Sequence, residues 1–162
     1  TLTRSSAASD VYKRQLPYNL KGFFEYEEAL TYSKKNNKPM LLDFTGHGCV
    51  NCRDIESRVW PDDRVRDYLN NKYVLVSLYV DDKTQLPEKD WYTSNYDSKI
   101  KKTIGKQNAD FQITRFNNNA QPFYVVIDPF SEKIVYRPWG YELNVESYIS
   151  HLENGITKFY EE

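Results

Sequence analysis

Met40-Leu41-Leu42-Asp43-Phe44-Thr45, followed by Gly46-His47-Gly48-Cys49-Val50-Asn51-Cys52, is the stretch on which the fold turns. The first six residues form a short, mostly apolar run, as expected of a buried strand. Gly46-His47-Gly48 reads as a flexible turn. From Val50 to Val59 the spacing is helical, which puts Cys49 at a helix N-terminus. Unpaired backbone N–H groups and the positive end of the helix dipole favour a thiolate there. Cys52 lies one turn on, on the same face, close enough to displace a partner from a mixed disulfide on Cys49. This arrangement predicts a Cys49–Cys52 pair cycling between dithiol and disulfide, with no cofactor and no metal. Two blander readings stay open, a zinc half-site and a pair of inert cysteines. Structural zinc takes four ligands, and only His47 and His151 could join the pair.

Composition narrows the classes. A chain of 162 residues suits one domain with one core. Apolar residues make up 40% and aromatics 15%, a globular rather than a disordered composition. Lys plus Arg total 22 against 23 acids, so no basic field exists for nucleic acid or a membrane surface. The longest apolar runs, such as Tyr73–Val80, are too short to span a bilayer. No signal peptide is visible, and any export signal or anchor is expected upstream. With only two cysteines, three positions apart, a bridge would close a tiny loop and remove little unfolded-state entropy. Stability is a poor reason for the pair.

Outward from the motif, Phe23–Asn37 reads as an amphipathic helix with Phe23, Phe24, Tyr26 and Leu30 on one side, ended by Asn36-Asn37-Lys38-Pro39. Beyond Val59, Pro61-Asp62-Asp63 restarts a short helix through Leu69. Lys72–Val80 is the strongest strand, rich in β-branched and aromatic residues. Asp81–Gln107 is polar and irregular, long enough to be a functional insertion or a mobile flap. Ala109–Phe116 suggests a short helix, Phe123–Asp128 a strand, Lys133–Arg137 its hairpin partner and Val145–Tyr160 a closing helix. The order implies α/β layers around one mixed sheet. Thr1–Gln15 lacks periodicity, and DVYKRQ within it reads like the accidental translation of a sequencing adapter. Residues 1–15 are therefore expected to be a non-native, disordered leader that packs on nothing, with the domain spanning 16–162.

The stretch KPMLLDFTGHGCVNCRDIESRVW resembles the C-terminal thioredoxin-like domain of the transmembrane thiol:disulfide interchange reductases of the DsbD type. The resemblance runs from about Phe23 to Phe159 and is strongest between Lys38 and Val65. It continues in YVLVSLYVDD, in the Gln121-Pro122 step and in the last helix. It implies a thioredoxin fold, a central mixed sheet flanked by helices; the long Asp81–Gln107 segment, before the strand that follows the cis-proline, is not thioredoxin-like and reads as a lineage-specific insertion. It also implies a domain that takes electrons from a membrane-embedded dithiol donor and passes them to protein disulfides. A periplasmic or other extracytoplasmic location follows, with a membrane tether in the full-length protein and a soluble, monomeric domain.

Three further residues carry over by position. Asp43 matches the buried acid beneath the cysteines, which can accept a proton from Cys52; a charge inside MLLDFT is costly unless used. Glu56 follows Cys52 by four, on the same helical face, and is otherwise a solvated helix residue. Pro122 matches the cis-proline facing the cysteines; its alternative is a trans proline opening a strand. Gln121, whose backbone would pair with a substrate strand, and Gly48 and Val50 around Cys49 complete the substrate-contacting set. Gly48 departs from the family, which often has an aromatic residue there. The rim is therefore open, or covered by Trp60, Trp91 or Trp139. His47 is close enough in sequence to support a Cys49 thiolate, or is simply solvated.

Direction follows from charge. Val50 and Asn51 place no cation between the cysteines, and Asp43 and Glu56 disfavour a nearby thiolate, which points to a reductase. A disulfide oxidase or isomerase, or a non-catalytic partner-binding module, is the alternative.

Overall fold

In the computed structural model, which describes residues 14–16 and 19–161, every side chain of β3 (Met40–Thr45) is buried. β3 pairs in parallel with β4 (Val74–Tyr79) and antiparallel with β7 (Phe123–Ile127), and β7 pairs antiparallel with β8 (Ile134–Trp139). The order β4-β3-β7-β8 is the mixed sheet expected, with β3 central.

Alternation along β3 and its neighbours sends successive side chains to opposite faces, so both faces are apolar and both need a helical cover. Leu41, Leu75, Tyr124 and Val126 pack against Ile55 and Val59, and against Tyr148 and Leu152. That face is covered by α2 (Val50–Arg58) and α5 (Val145–Glu161). Met40, Leu42, Phe44, Val76 and Val125 meet Tyr26, Ala29 and Leu30, with Phe111 and Phe116 beside them. That face is covered by α1 (Tyr26–Asn36) and α4 (Ile104–Phe116). Asp43 shares Leu41's parity and so points to the α2 face. Between α2 and β4 the chain forms α3 (Asp63–Asp67), capped by the Asp62 carboxylate on the Arg64 N–H, and then a π-turn over Tyr68–Lys72. Asn37 and Asn117, both left-handed, end α1 and α4.

Three expectations are corrected. First, α1 starts at Tyr26 rather than Phe23. Lys21–Gly22 form β2, and Phe23 stays extended as a parallel partner of Val76, its N–H donating to the Leu75 carbonyl (2.9 Å). The outer edge of β4 needs backbone partners, and that demand overrides helical spacing. Second, β1 (Arg14–Gln15) pairs antiparallel with β2, so the segment read as a leader ends inside a strand pair; residues 1–13 lie outside the described residues.

Third, the Asp81–Gln107 segment is tied down. Its end is the first turn of α4, capped by Thr103 accepting from the Lys106 N–H (3.1 Å). A small hairpin of β5 (Tyr92–Thr93) and β6 (Ile100–Lys101) docks on that helix. Ser94 (2.5 Å) and Tyr92 (2.9 Å) hydroxyls donate to the Asp110 carboxylate, and the Gln107 amide donates to the carbonyls of Asp90 (2.8 Å) and Lys101 (3.2 Å). At Gly105 a Cβ would stand 2.7 Å from backbone atoms of Val80 and Asp82, so this close approach admits only glycine. Among the described residues no helix is long and apolar enough to cross a membrane.

Candidate active site

Cys49 and Cys52 form a disulfide with Cα atoms 5.3 Å apart. Cys49 is the N-cap of α2, extended in backbone, and its Sγ accepts the Cys52 N–H at 3.2 Å. An acceptor at that position satisfies a donor that every helix start leaves unpaired, and negative charge on sulfur strengthens the bond. Cys49 is half-buried and Cys52 only 2% exposed, so an incoming disulfide meets Cys49 first. Gly48 and Val50 flank it on the surface, Val50 at 73% exposure.

Sequence reasoning missed the residue that shapes the turn into Cys49. Asp81, just beyond β4, accepts the N–H of His47 on one carboxylate oxygen (2.8 Å) and that of Gly48 on the other (3.0 Å). Partial burial raises its pKa, but these two donors outweigh it and hold the carboxyl below its usual value. A Cβ at Gly46 would come within 3.2 Å of Asp81 Oδ2, so a larger residue there would push the carboxylate aside by a few tenths of an ångström. No local signal links Asp81 to a turn 34 residues earlier. Replacing Asp81 with alanine frees both N–H groups to water and costs about 1 kcal/mol of stability, the scale of an exposed charged hydrogen bond. Exchange at Cys49 is expected to slow by roughly three- to ten-fold through misplacement of the attacking sulfur. Thiol-reagent kinetics on the reduced variant check this, and an unaltered rate would remove Asp81 from the site.

On the α2 face of the sheet lies a group of buried ionisable side chains. Asp43 is 2% exposed and takes a hydrogen bond from the Ser77 hydroxyl at 3.2 Å, its registered neighbour on β4. Burial, then the charge of Glu56, push its carboxyl up to about 8, against smaller opposing effects of Ser77 and Arg53. Glu56, on the buried face of α2 with Cys52, is raised by burial and pulled back by Arg53. The Arg53 guanidinium bridges Glu56 (2.7 Å) and the Thr45 hydroxyl (3.0 Å), and reaches the His47 carbonyl (3.3 Å). Arg53 thus ties α2 to the end of β3, a role its i, i+3 spacing from Glu56 could have suggested.

The Gln121–Pro122 bond is cis. Pro122 immediately precedes Phe123, which pairs with Phe44, so it sits at the sheet end from which the chain runs to Cys49. The Gln121 amide donates to Gln112 on α4 (2.9 Å). Of the tryptophans offered as covers for the rim, Trp60 and Trp139 belong to the core, and the Trp91 indole donates to Leu86 within the insertion. The aromatic neighbour of the motif is instead Tyr79, on which His47 stacks at 4.0 Å. Tyr141 adds a second, its hydroxyl donating to Asp54 on α2 (3.1 Å). His151 stacks on Trp139 and bonds the Tyr136 hydroxyl, so it is no partner for the cysteines. Among the described residues, no group of His, Cys, Asp and Glu is arranged to hold a metal.

Residues 21–129 match the family of thioredoxin-like proteins. The chain belongs to that family. Among solved structures, a DsbH oxidoreductase is 20% identical, covers 93% of this chain and 96% of its own, and superposes with a TM-score of 0.62. A thioredoxin from Thermus thermophilus is 19% identical over 85% of this chain and 88% of its own, with a TM-score of 0.60. The reduced C-terminal domain of Neisseria meningitidis DsbD is 13% identical, covering 80% and 92%, with a TM-score of 0.52. No curated protein sequence matches the chain. At these identities the structural likenesses speak for the fold; the thiol–disulfide oxidoreductase chemistry rests on this thioredoxin-like chain's own redox-active pair.

Proposed function

We propose that this protein is a protein-disulfide reductase, an electron-transfer domain of the DsbD type working outside the cytoplasm. The observation that carries the reading is the buried Asp43–Glu56 pair on the α2 face of the sheet, combined with the absence of any cation between the cysteines. Acids on that face disfavour thiolate in the reduced protein, which makes the dithiol a ready donor of electrons.

The Cys49 thiolate of the reduced protein attacks one sulfur of a partner's disulfide, and the other sulfur leaves as a thiolate. Cys52 gives its proton to Asp43 and attacks Cys49 Sγ, releasing the partner's second thiolate. Two electrons pass to the partner and Cys49–Cys52 is left as the disulfide. An upstream dithiol donor, proposed to be a membrane-embedded domain of the full-length chain, restores the dithiol. Pro122 and the Gln121 backbone, with Gly48 and Val50, form the docking edge for the substrate strand.

With dithiothreitol as donor, the protein is expected to accelerate insulin reduction, read as the onset of turbidity. No acceleration over dithiothreitol alone would favour a non-catalytic binding module.

A further inference from the structure

A cavity of about 420 Å³ opens beside the redox turn, and the chemistry above makes no use of it. It lies off the outer side of β4, whereas Pro122 precedes β7 on the other side of β3, so it is separate from the proposed docking edge. Its volume falls in the range of sites that hold a ligand group. Phe24, Tyr79 and Ile104 supply apolar wall, while Glu25, Glu28 and Asp82 bring three carboxylates. Among the described residues neither lysine nor arginine lines it. Asn108, 1% exposed, also lines the cavity; its amide N–H donates to the Tyr79 carbonyl (3.0 Å), and its buried Oδ1 has no hydrogen-bond partner among the described residues. A buried acceptor without a donor is costly, and a ligand carrying N–H groups would relieve it. His47, two residues before Cys49, lines the same cavity.

From these features we infer that the cavity is a specificity subsite for a basic side chain of the protein substrate, carried close in sequence to the cysteine that Cys49 attacks. The aliphatic stem lies along Phe24, Tyr79 and Ile104, and the cationic head meets the carboxylates and the Asn108 carbonyl. This inference rests on the reading that Cys49 exchanges disulfides with protein partners, and it names the substrate class.

The test uses two disulfide-linked peptides identical except for lysine or norleucine three residues from the cysteine. The reduced Cys52→Ser variant is expected to trap the lysine peptide roughly ten-fold faster at low salt, with the preference shrinking at high salt, where charges are screened. Adding Glu28→Gln, or separately Asp82→Asn, should bring the lysine-to-norleucine ratio down to about two. Equal trapping of both peptides overturns the subsite while leaving the exchange reaction in place. Trapping of neither peptide overturns the reductase reading itself. The subsite is then judged on the oxidised wild-type protein with Nα-acetyl-lysine amide against its norleucine analogue. Selective NMR shifts at the Asn108 side-chain amide support it, and no lysine-specific shift overturns it.

Discussion

Serine in place of Cys52 is expected to leave a stable mixed disulfide between Cys49 and a protein substrate, whereas serine in place of Cys49 abolishes both trapping and turnover. The asymmetry comes from position. Cys49 caps α2 at the surface with a helix N–H aimed at its sulfur, and Cys52 is buried one turn below. Only Cys49 is placed both to be reached and to hold a thiolate. Loss of Cys49 should lower insulin reduction by roughly a thousand-fold or more, the scale of deleting a covalent nucleophile. Brief alkylation of the reduced wild-type protein should label Cys49 first. Equal labelling, or trapping by the Cys49→Ser variant, would show that the attacking sulfur is wrongly assigned.

Asp43→Asn should slow the resolving step and at the same time stabilise the protein in alkali. The carboxylate accepts the Cys52 proton, so removing it is expected to slow release of the mixed disulfide by roughly a hundred-fold, with less effect on the first attack. In the wild type, resolution should quicken as pH rises through about 8, where Asp43 ionises, and the variant should lose that inflection. Stability runs the opposite way. A carboxyl raised from 3.8 to about 8 holds a proton in the folded state that the unfolded chain has already lost. Its contribution is full below pH 4 and is lost as pH climbs through 8. At about 1.4 kcal/mol per pH unit the loss reaches several kcal/mol, and Glu56, also raised, adds in the same direction. Asparagine avoids this loss, so thermal unfolding at pH 9 should occur at least about 5 °C higher in the variant. An equal or lower melting temperature, with an unchanged pH–rate profile, would mean that Asp43 is not the buried acid that the site needs.

What was legible in the sequence was whatever is local. MLLDFT read as a buried strand because all six side chains are in the core, and Cys49 read as a cap because the helix follows at once. Asp43 stood out as a charge where none belongs. Less visible was the start of α4: the helix's fully buried positions are Gly105, Gln107, Asn108, Asp110 and Gln112, while the aromatic side chains it sets on the core, Phe111 and Phe116, are half-buried and lie in its second half. Gln107 and Asp110 hold the insertion, Asn108 bonds β4 and Gln112 bonds the segment before Pro122, and a hydrophobicity pattern cannot announce a hydrogen-bonded interface. The extended Phe23 was misread because its apolar side chain fits a helix face as well as a sheet edge. Asp81 and Tyr79 were unreadable for a different reason, since their partners in the redox turn are more than thirty residues away and only the parallel pairing of β3 with β4 brings them together.

The reducing direction is tested most directly by equilibrating Cys49–Cys52 against glutathione buffers of known potential and quantifying the disulfide fraction. The buried acids and the uncharged Val50-Asn51 step lead to a midpoint more negative than roughly −200 mV, with the disulfide favoured in the buffer. A midpoint near −120 mV, the level of a strong disulfide oxidant, would contradict it.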